Sequence, residues 1–263
     1  MKRNALLAIV FVVCTAVALL FVINMLRPGL SPARNSTLVL VGGLTKLAAL
    51  IIAATFAFRS AFLLGRGNPA QRPWLLLGSG LASMCVGQAL LVSYQYWTGS
   101  TPFPSQADFW FVLAYPLIIV SLVAFAITYT RSGFPAEGLR SFAIIILVAV
   151  AVTAWPILLP VAQMQGSPLS KTLNLTYPAL DLLLIVPIAV LVRITSRFRG
   201  GAVWPIWLSL LVGFLFTAAG DILFAYFTAL GHSELDPIID AMYIIAYGNL
   251  AWGALFQERL LAA

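Results

Sequence analysis

Eight long apolar stretches, separated by short polar loops, constrain this 263-residue chain more than any other feature. A stretch of about 20 apolar residues is long enough to cross the hydrocarbon core of a bilayer as an α-helix. The breaks between the stretches are rich in proline, glycine and serine, which end helices. The apolar stretches comprise residues 5–26, 36–58, 73–97, 109–130, 141–163, 173–192, 204–229 and 238–257. We therefore predict an all-α fold, a polytopic membrane helix bundle of eight transmembrane helices that forms a single integral membrane domain over residues 1–263.

The composition favours a membrane protein and argues against a nucleic-acid partner. Hydrophobic residues make up 62% of the chain and charged residues only 9%, whereas soluble domains carry about 25% charged residues. A net charge of +7 would suggest nucleic-acid binding in a soluble protein. Here the basic residues lie between the apolar stretches, where membrane topology explains them. We predict that membrane lipid, and no nucleic acid, is a partner.

The basic residues divide unequally between the two sides of the predicted bundle. One side, which includes both termini, carries eleven of them: Lys2, Arg3, Arg59, Arg66, Arg72, Arg131, Arg140, Arg193, Arg197, Arg199 and Arg259. The other side carries only Arg27, Arg34 and Lys171. Because cytoplasmic loops are enriched in lysine and arginine, we predict a cell-membrane protein with both termini in the cytoplasm. The first stretch has no small-residue cleavage site before Arg27, so we interpret it as a retained helix.

The residues that usually bind metals or form disulfides are few and isolated. Cys14 and Cys85 both lie inside apolar stretches, and the single histidine, His232, has no cysteine or histidine nearby in the sequence. A disulfide, a zinc site or a haem with two histidine ligands is therefore disfavoured. We predict no metal and no cofactor.

Two short motifs recur in the two halves of the chain. Gly87-Gln88 in the third stretch corresponds to Gly220-Asp221 in the seventh. In the following stretch, the segment Asp108–Tyr115 corresponds to Asp240–Tyr247, with the same spacing of seven residues. We predict a four-plus-four internal duplication whose halves are parallel, because each half has an even number of helices.

Four polar residues lie deep inside apolar stretches, namely Lys46, Gln88, Asp181 and Asp221. An ionised side chain near the bilayer centre costs at least about 2.5–3.5 kcal/mol on insertion scales and needs a partner or a wet cavity. Counting from the helix ends places all four at a similar depth, in the middle to outer half of the bilayer.

Further polar residues are predicted around this group. Asp108 and Asp240 begin their helices above it, and Tyr115 and Tyr247 each lie seven residues, about two turns, below those carboxylates. We predict a cavity that opens outward and binds a small molecule. Its ligand-binding residues would be Lys46, Gln88, Asp108, Tyr115, Asp181, Asp221, Asp240 and Tyr247.

A purely structural interpretation remains open at this point. Lys46 would pair with an aspartate and hold the second helix against the sixth or seventh, while Gln88 would form a hydrogen bond between helices. Asp108 and Asp240 would be favoured at helix N-termini by the helix dipole.

Three segments resemble a known class of membrane module. They are PSQADFWFVLAYPL (104–117), LNLTYPALDLLLIVPIAVLVR (173–193) and GDILFAYFTALGHSELDPIIDAMYIIAYGNLAWGAL (220–255). They resemble the multi-pass sensor regions that precede GGDEF diguanylate cyclase and EAL phosphodiesterase domains in bacteria. The chain contains neither a GGDEF nor an EAL sequence. The resemblance implies a sensory module for signal transduction that passes its signal to a separate cytoplasmic signalling protein.

A second, weaker resemblance is to the lysoplasmalogenase family of eight-helix membrane hydrolases. Gly220-Asp221 matches a Gly-Asp motif of that family, but Gly87-Gln88 has an amide where the partner acid is expected. That resemblance implies an intramembrane lipid hydrolase in which Asp221 and Asp181 are the catalytic acid and base. A sensor that binds a lipid-like molecule is our first hypothesis, the hydrolase is the alternative, and a transporter is a further alternative.

Overall fold

The structure, a computed structural model, describes residues 2–26, 36–134, 137–164, 167–196, 200–232 and 235–262. Within these ranges, eight α-helices are long and apolar enough to cross a membrane. They are α1 (Lys2–Leu26), α2 (Ser36–Leu64), α3 (Gln71–Thr98), α4 (Gln106–Arg131), α5 (Leu139–Gln163), α6 (Pro168–Ser196), α7 (Trp204–Leu230) and α8 (Asp236–Leu261). The predicted all-α bundle with eight membrane-spanning helices is confirmed. The protein is therefore a multi-pass membrane protein.

Several helices continue past the apolar stretch that predicted them. The second stretch ends at Phe58 because Arg59 is charged, but α2 continues to Leu64. It stops before Gly65, whose positive φ of 76° is a left-handed conformation that favours glycine. Similarly, α3 ends before Gly99, whose φ is 70°. Hydropathy therefore located the helices, whereas backbone geometry sets where they end.

The helices pack around α8 and α7. Helix α8 contacts α1, α2 and α7, and α7 contacts α5, α6 and α8. Helix α3 packs between α2 and α4, and α6 packs against α4, α5 and α7. The helix pairs α2–α3, α2–α8, α3–α4 and α7–α8 have the most extensive contacts. Helix α5 has mostly outward-facing apolar side chains, such as Ile145 and Val152, which are suited to contact with lipid.

We name the two ends of the bundle by their loops. The α3–α4 end is where α3 ends and α4 begins, and the α2–α3 end is the opposite one. The α2–α3 half is filled by a buried aromatic cluster of Trp74, Phe125 and Trp207. The ring centroids of Phe125 lie 5.3 Å from Trp74 and 4.8 Å from Trp207. This cluster lies between the polar residues and the α2–α3 end of the bundle.

Two glycines permit close helix contacts at matching positions of the two halves. Gly80 and Gly213 each lie seven residues before the glycine of the repeated motif. A Cβ atom at Gly80 would lie 3.1 Å from the carbonyl oxygen of Ala114, and one at Gly213 would lie 3.0 Å from that of Ala246. Ala114 and Ala246 directly precede the matched tyrosines of α4 and α8. The α3–α4 and α7–α8 contacts therefore use equivalent residues.

We expect Gly80→Val and Gly213→Val each to lower the free energy of unfolding by about 1–3 kcal/mol, the usual cost of overpacking. The added side chain would meet a backbone carbonyl that cannot move without shifting a helix. Val86→Ile, which adds a methyl group on an exposed face of α3, is the control and should change stability little. Denaturant unfolding in mixed micelles measures the effect. Unchanged unfolding of both glycine variants would contradict this close packing.

Candidate functional site

A cavity of about 360 Å³ opens at the α3–α4 end of the bundle. Small-molecule sites in proteins usually have volumes of about 300–1,000 Å³. Its walls come from α2, α3, α4, α6, α7 and α8, together with residues 101–105 of the loop between α3 and α4. All eight predicted site residues line it: Lys46, Gln88, Asp108, Tyr115, Asp181, Asp221, Asp240 and Tyr247. The structure thus brings together every residue that the sequence suggested, while their binding role stays a prediction.

The centre of the cavity holds two carboxyl groups that share one tyrosine. The Tyr115 hydroxyl lies 2.9 Å from Asp181 Oδ1 and 2.9 Å from Asp221 Oδ2. The two carboxyl groups therefore lie at most twice that distance apart through these oxygens. The Tyr243 hydroxyl donates to the other oxygen of Asp221. Side chains from α4, α6, α7 and α8 meet in this one group.

The number of hydrogens restricts how this group can be bonded. A tyrosine hydroxyl has a single hydrogen to donate, and an ionised carboxylate only accepts. Tyr115 can donate to Asp181 or to Asp221, but not fully to both. Both contacts are hydrogen bonds only when one of the two carboxyl groups carries a proton and donates it to the Tyr115 oxygen. The arrangement can therefore hold one acid and one base side by side.

Lys46 forms an ion pair with Asp240. Its Nζ lies 2.7 Å from Asp240 Oδ1, and the two side chains are 11% and 18% exposed. The structural interpretation correctly gave Lys46 an aspartate partner but was wrong about the helix, because Asp240 belongs to α8 rather than to the sixth or seventh helix. The reason is packing: α2 lies against α1, α3 and α8. Lys46 Nζ also lies 5.7 Å from the centroid of the Tyr243 ring.

Asp108 begins α4 and also faces the cavity. The Ser105 backbone N–H donates to Asp108 Oδ2 at 2.6 Å, and the Ser105 side chain in turn caps the first turn of α4. This reciprocal arrangement is a capping box, so the expected helix-terminal role is present. The other oxygen of Asp108 accepts a hydrogen bond of 2.7 Å from the Tyr177 hydroxyl of α6. Asp108 therefore joins α4 to α6, as Asp240 joins α8 to α2.

Gln88 forms the hydrogen bond between helices that the structural interpretation expected. Its Nε2 donates to the carbonyl oxygen of Gly43 in α2 at 3.3 Å. Gly43 has no side chain and lies close to Val92, so α2 and α3 approach each other closely here. Gln88 is buried, with 3% of its surface exposed. It occupies the place that Asp221 has in the second half of the chain.

The cavity is strongly acidic. Five of the eight acidic residues in the chain line it, namely Asp108, Asp181, Asp221, Asp236 and Asp240. Lys46 is the only basic residue in the lining among the residues that the structure describes. Among the described residues, no three His, Cys, Asp or Glu side chains are grouped so that they could hold a metal ion. The site therefore has an excess of negative groups without the geometry of a metal centre.

The sequence did not identify Asn174 and Tyr177 as site residues, although both line the cavity. They lie seven and four residues before Asp181, which places all three on the same face of α6. That spacing was the available signal. That spacing indicates a site only once Asp181 is known to face the cavity, because tyrosine is also common at the membrane interface.

No protein-family model, no curated protein and no solved structure matches the chain.

Proposed function

We propose that this protein is a ligand-binding sensor module of the bacterial cell membrane. A small amphipathic, lipid-like molecule would enter the cavity from the extracytoplasmic side, and helix movement would be passed to a separate cytoplasmic protein. The observation that carries the proposal is that the eight polar residues predicted from the sequence line one open cavity with mixed polar and apolar walls. The resemblance of residues 104–117, 173–193 and 220–255 to bacterial sensor regions supports the same assignment.

The orientation follows from the distribution of charge. The α2–α3 end carries the termini and eleven basic residues, and the α3–α4 end carries three besides Lys46 in the cavity. The positive-inside rule then puts the α2–α3 end in the cytoplasm. In that orientation the cavity opens away from the cytoplasm, toward molecules outside the cell.

A parallel four-plus-four duplication also belongs to this proposal. It is supported by the equivalent close contacts at Gly80 and Gly213, and by Asp108 and Asp240, which each pair with a neighbouring even-numbered helix. The duplication explains why the cavity has two similar walls, formed by α4 and α8. The halves differ at the matched position in α3 and α7, where one has Gln88 and the other Asp221. The ligand would therefore contact an amide on one side of the cavity and a carboxyl group on the other.

A receptor fits the cavity better than a transporter does. Ile118, Leu184 and Phe214 line the inner part of the cavity, and the buried cluster of Trp74 and Trp207 lies beyond them. These large apolar side chains block passage of a polar solute toward the α2–α3 end. A cavity that is open at one end only suits a receptor, whereas a transporter would also need a second conformation that opens toward the α2–α3 end.

Native mass spectrometry of the purified protein tests the proposal. We expect a small molecule to remain bound to the wild type and to Val86→Trp, whose new side chain would point away from the cavity on an exposed face of α3. Val92→Trp should lose that molecule, because Val92 lines the cavity on the same helix. An unoccupied wild-type protein, or equal occupancy in the Val92 variant, would contradict a ligand-binding function for this cavity.

The hydrolase remains the second candidate because of one observation. Asp181 and Asp221 share the Tyr115 hydroxyl, and one acid beside one base is what hydrolysis of an ether or ester lipid requires. Incubation with a lysoplasmalogen, followed by detection of the released aldehyde, tests it. Turnover by the wild type that is lost in a folded Asp221→Asn variant would replace the receptor assignment with an enzymatic one.

A further inference from the structure

Two buried oxygen atoms in the cavity wall have no hydrogen-bond donor among the described residues. They are Asp181 Oδ2 and Asn174 Oδ1. Both residues are almost fully buried, with 2% and 1% of their surfaces exposed, and both line the cavity. Because they are seven residues apart on α6, they lie on the same face, about 10 Å apart along the helix axis. Buried acceptors are rarely left without a donor, so the missing donors point to the ligand.

The charge of the cavity indicates what kind of donor is needed. Within the described part of the chain, Lys46 is the only basic residue of the lining, and Asp240 already accepts a hydrogen bond from its ammonium group at 2.7 Å. The pair of Asp181 and Asp221 has tyrosine hydroxyls as hydrogen-bond donors but no basic side chain bonded to it. A positively charged donor would balance this group and form the stronger, charge-assisted type of hydrogen bond.

The aromatic side chains of the cavity suit a cation as well. Four tyrosines, Tyr115, Tyr177, Tyr243 and Tyr247, line it. The rings of Tyr115 and Tyr177 lie 6.3 Å apart, and those of Tyr243 and Tyr247 lie 6.1 Å apart. Aromatic faces attract ammonium groups within about 6 Å, as the position of Lys46 over Tyr243 illustrates.

We propose that the cavity binds an organic cation, a protonated amine attached to an apolar body, whose N–H groups donate to Asp181 Oδ2. This inference rests on the proposed ligand-binding function and names the class of ligand. The amine would lie at the depth of Asp181, among the tyrosine rings. The apolar body would extend past Leu91 and Phe111 toward the opening. Asn174 Oδ1 would accept a hydrogen bond from a second polar group of the ligand.

Three compounds that share a phenyl ring and differ in charge test this class. Phenethylamine is a cation, 2-phenylethanol is neutral and 3-phenylpropanoate is an anion near neutral pH. Calorimetric titration into nanodiscs, with Val92→Trp as the blocked reference, measures binding in the cavity separately from binding to lipid. We expect phenethylamine to bind the wild type at least tenfold more tightly than the alcohol and the anion to show no cavity binding.

Two variants with the same change in charge locate the contact. Asp181→Asn should weaken phenethylamine binding at least tenfold and leave binding of 2-phenylethanol unchanged. Glu137→Gln removes a negative charge from an exposed loop at the opposite end and should leave both affinities unchanged. The comparison of amine with alcohol on the wild type does not use an Asp181 variant, so it holds even where Asp181→Asn fails to fold.

The outcomes separate this inference from the function on which it rests. Equal affinity for amine and alcohol, tighter binding of the anion, or no cavity binding of phenethylamine would overturn the cation assignment. The ligand-binding function would survive that result if native mass spectrometry still shows a bound molecule that is lost in Val92→Trp. Absence of both the bound molecule and the amine preference would overturn the two together.

Discussion

Replacing Lys46 with methionine is expected to lower the free energy of unfolding by about 1.5–3 kcal/mol, the value of a hydrogen bond between charged groups, because breaking a partly buried ion pair leaves the partner charge uncompensated. Asp240, whose side chain is only 18% exposed, would face α2 without its ammonium partner at 2.7 Å. Methionine has about the length and flexibility of lysine, so the variant removes the charge with little change in packing. Unfolding in mixed detergent micelles, followed by circular dichroism, measures the loss.

The reciprocal variants show whether the loss comes from the pair. Asp240→Asn alone should also be destabilising, since it leaves an 11% exposed ammonium in the bundle. The double variant Lys46→Met/Asp240→Asn should recover most of the stability, because neither charge then remains. Lys171→Met, which removes a lysine from the same end of the bundle, is the control and should have little effect. A double variant that loses the sum of the two single effects would disprove a direct pair.

The extent to which the sequence predicted this fold follows from the membrane environment. A backbone in lipid must satisfy its own hydrogen bonds, so each long apolar stretch can only be a helix. Hydropathy ended the second helix at Phe58, but the structure continues it to Leu64. The six additional residues begin with Arg59 and lie at the edge of the apolar region. A charged residue there is compatible with a helix, so hydropathy does not show where the helix ends.

The sequence predicted the depth of the site residues and the helix faces on which they lie, but not which side chains pair with each other. Counting residues from helix ends placed Lys46, Asp181 and Asp221 at one level, and the structure puts all three in one cavity. The spacing from Asp240 to Tyr247 put both on one face of a helix, and both line the cavity. What the sequence could not provide is which helix lies beside which. That arrangement depends on side-chain packing between helices, and hydropathy carries no information on which helices are neighbours.

The same limit explains the errors and omissions. Lys46 was assigned to the sixth or seventh helix because aspartates inside those helices were visible as interruptions of an apolar run. Asp240 was interpreted as a helix-terminal residue, so its role as the partner of Lys46 was missed. Tyr177 and Asn174 carry no charge and do not interrupt an apolar stretch strongly, so their contribution emerged only from the placement of Asp181.

Helices α2 and α8 are joined at two heights, which bears on how a ligand signal would cross the bundle. Lys46 and Asp240 form a pair at the cavity, and Arg59 and Glu258 form one near the α2–α3 end at 2.9 Å. The two basic residues are thirteen positions apart in α2, or about 20 Å along the helix. Helix α8 also carries Tyr243 and Tyr247 into the cavity. Movement of α8 on ligand binding would therefore change the distance between Arg59 and Glu258.

Arg59→Met is expected to cost about 1.5–3 kcal/mol of unfolding free energy, the value of a hydrogen bond to a charged group, because it removes one hydrogen-bond donor from a buried carboxylate. Glu258 is only 1% exposed, whereas the Arg59 side chain is 54% exposed. Glu258→Gln should therefore cost less, about 1 kcal/mol, the net value of a typical hydrogen bond, since the guanidinium left behind can reach water. Arg66→Met, in the exposed loop after α2, is the matched control.

Equal losses in the Arg59 and Glu258 variants would show that the burial of Glu258 does not determine the energetics of this pair. The expected inequality would make the Arg59–Glu258 contact the place to look for a response to ligand at the α2–α3 end.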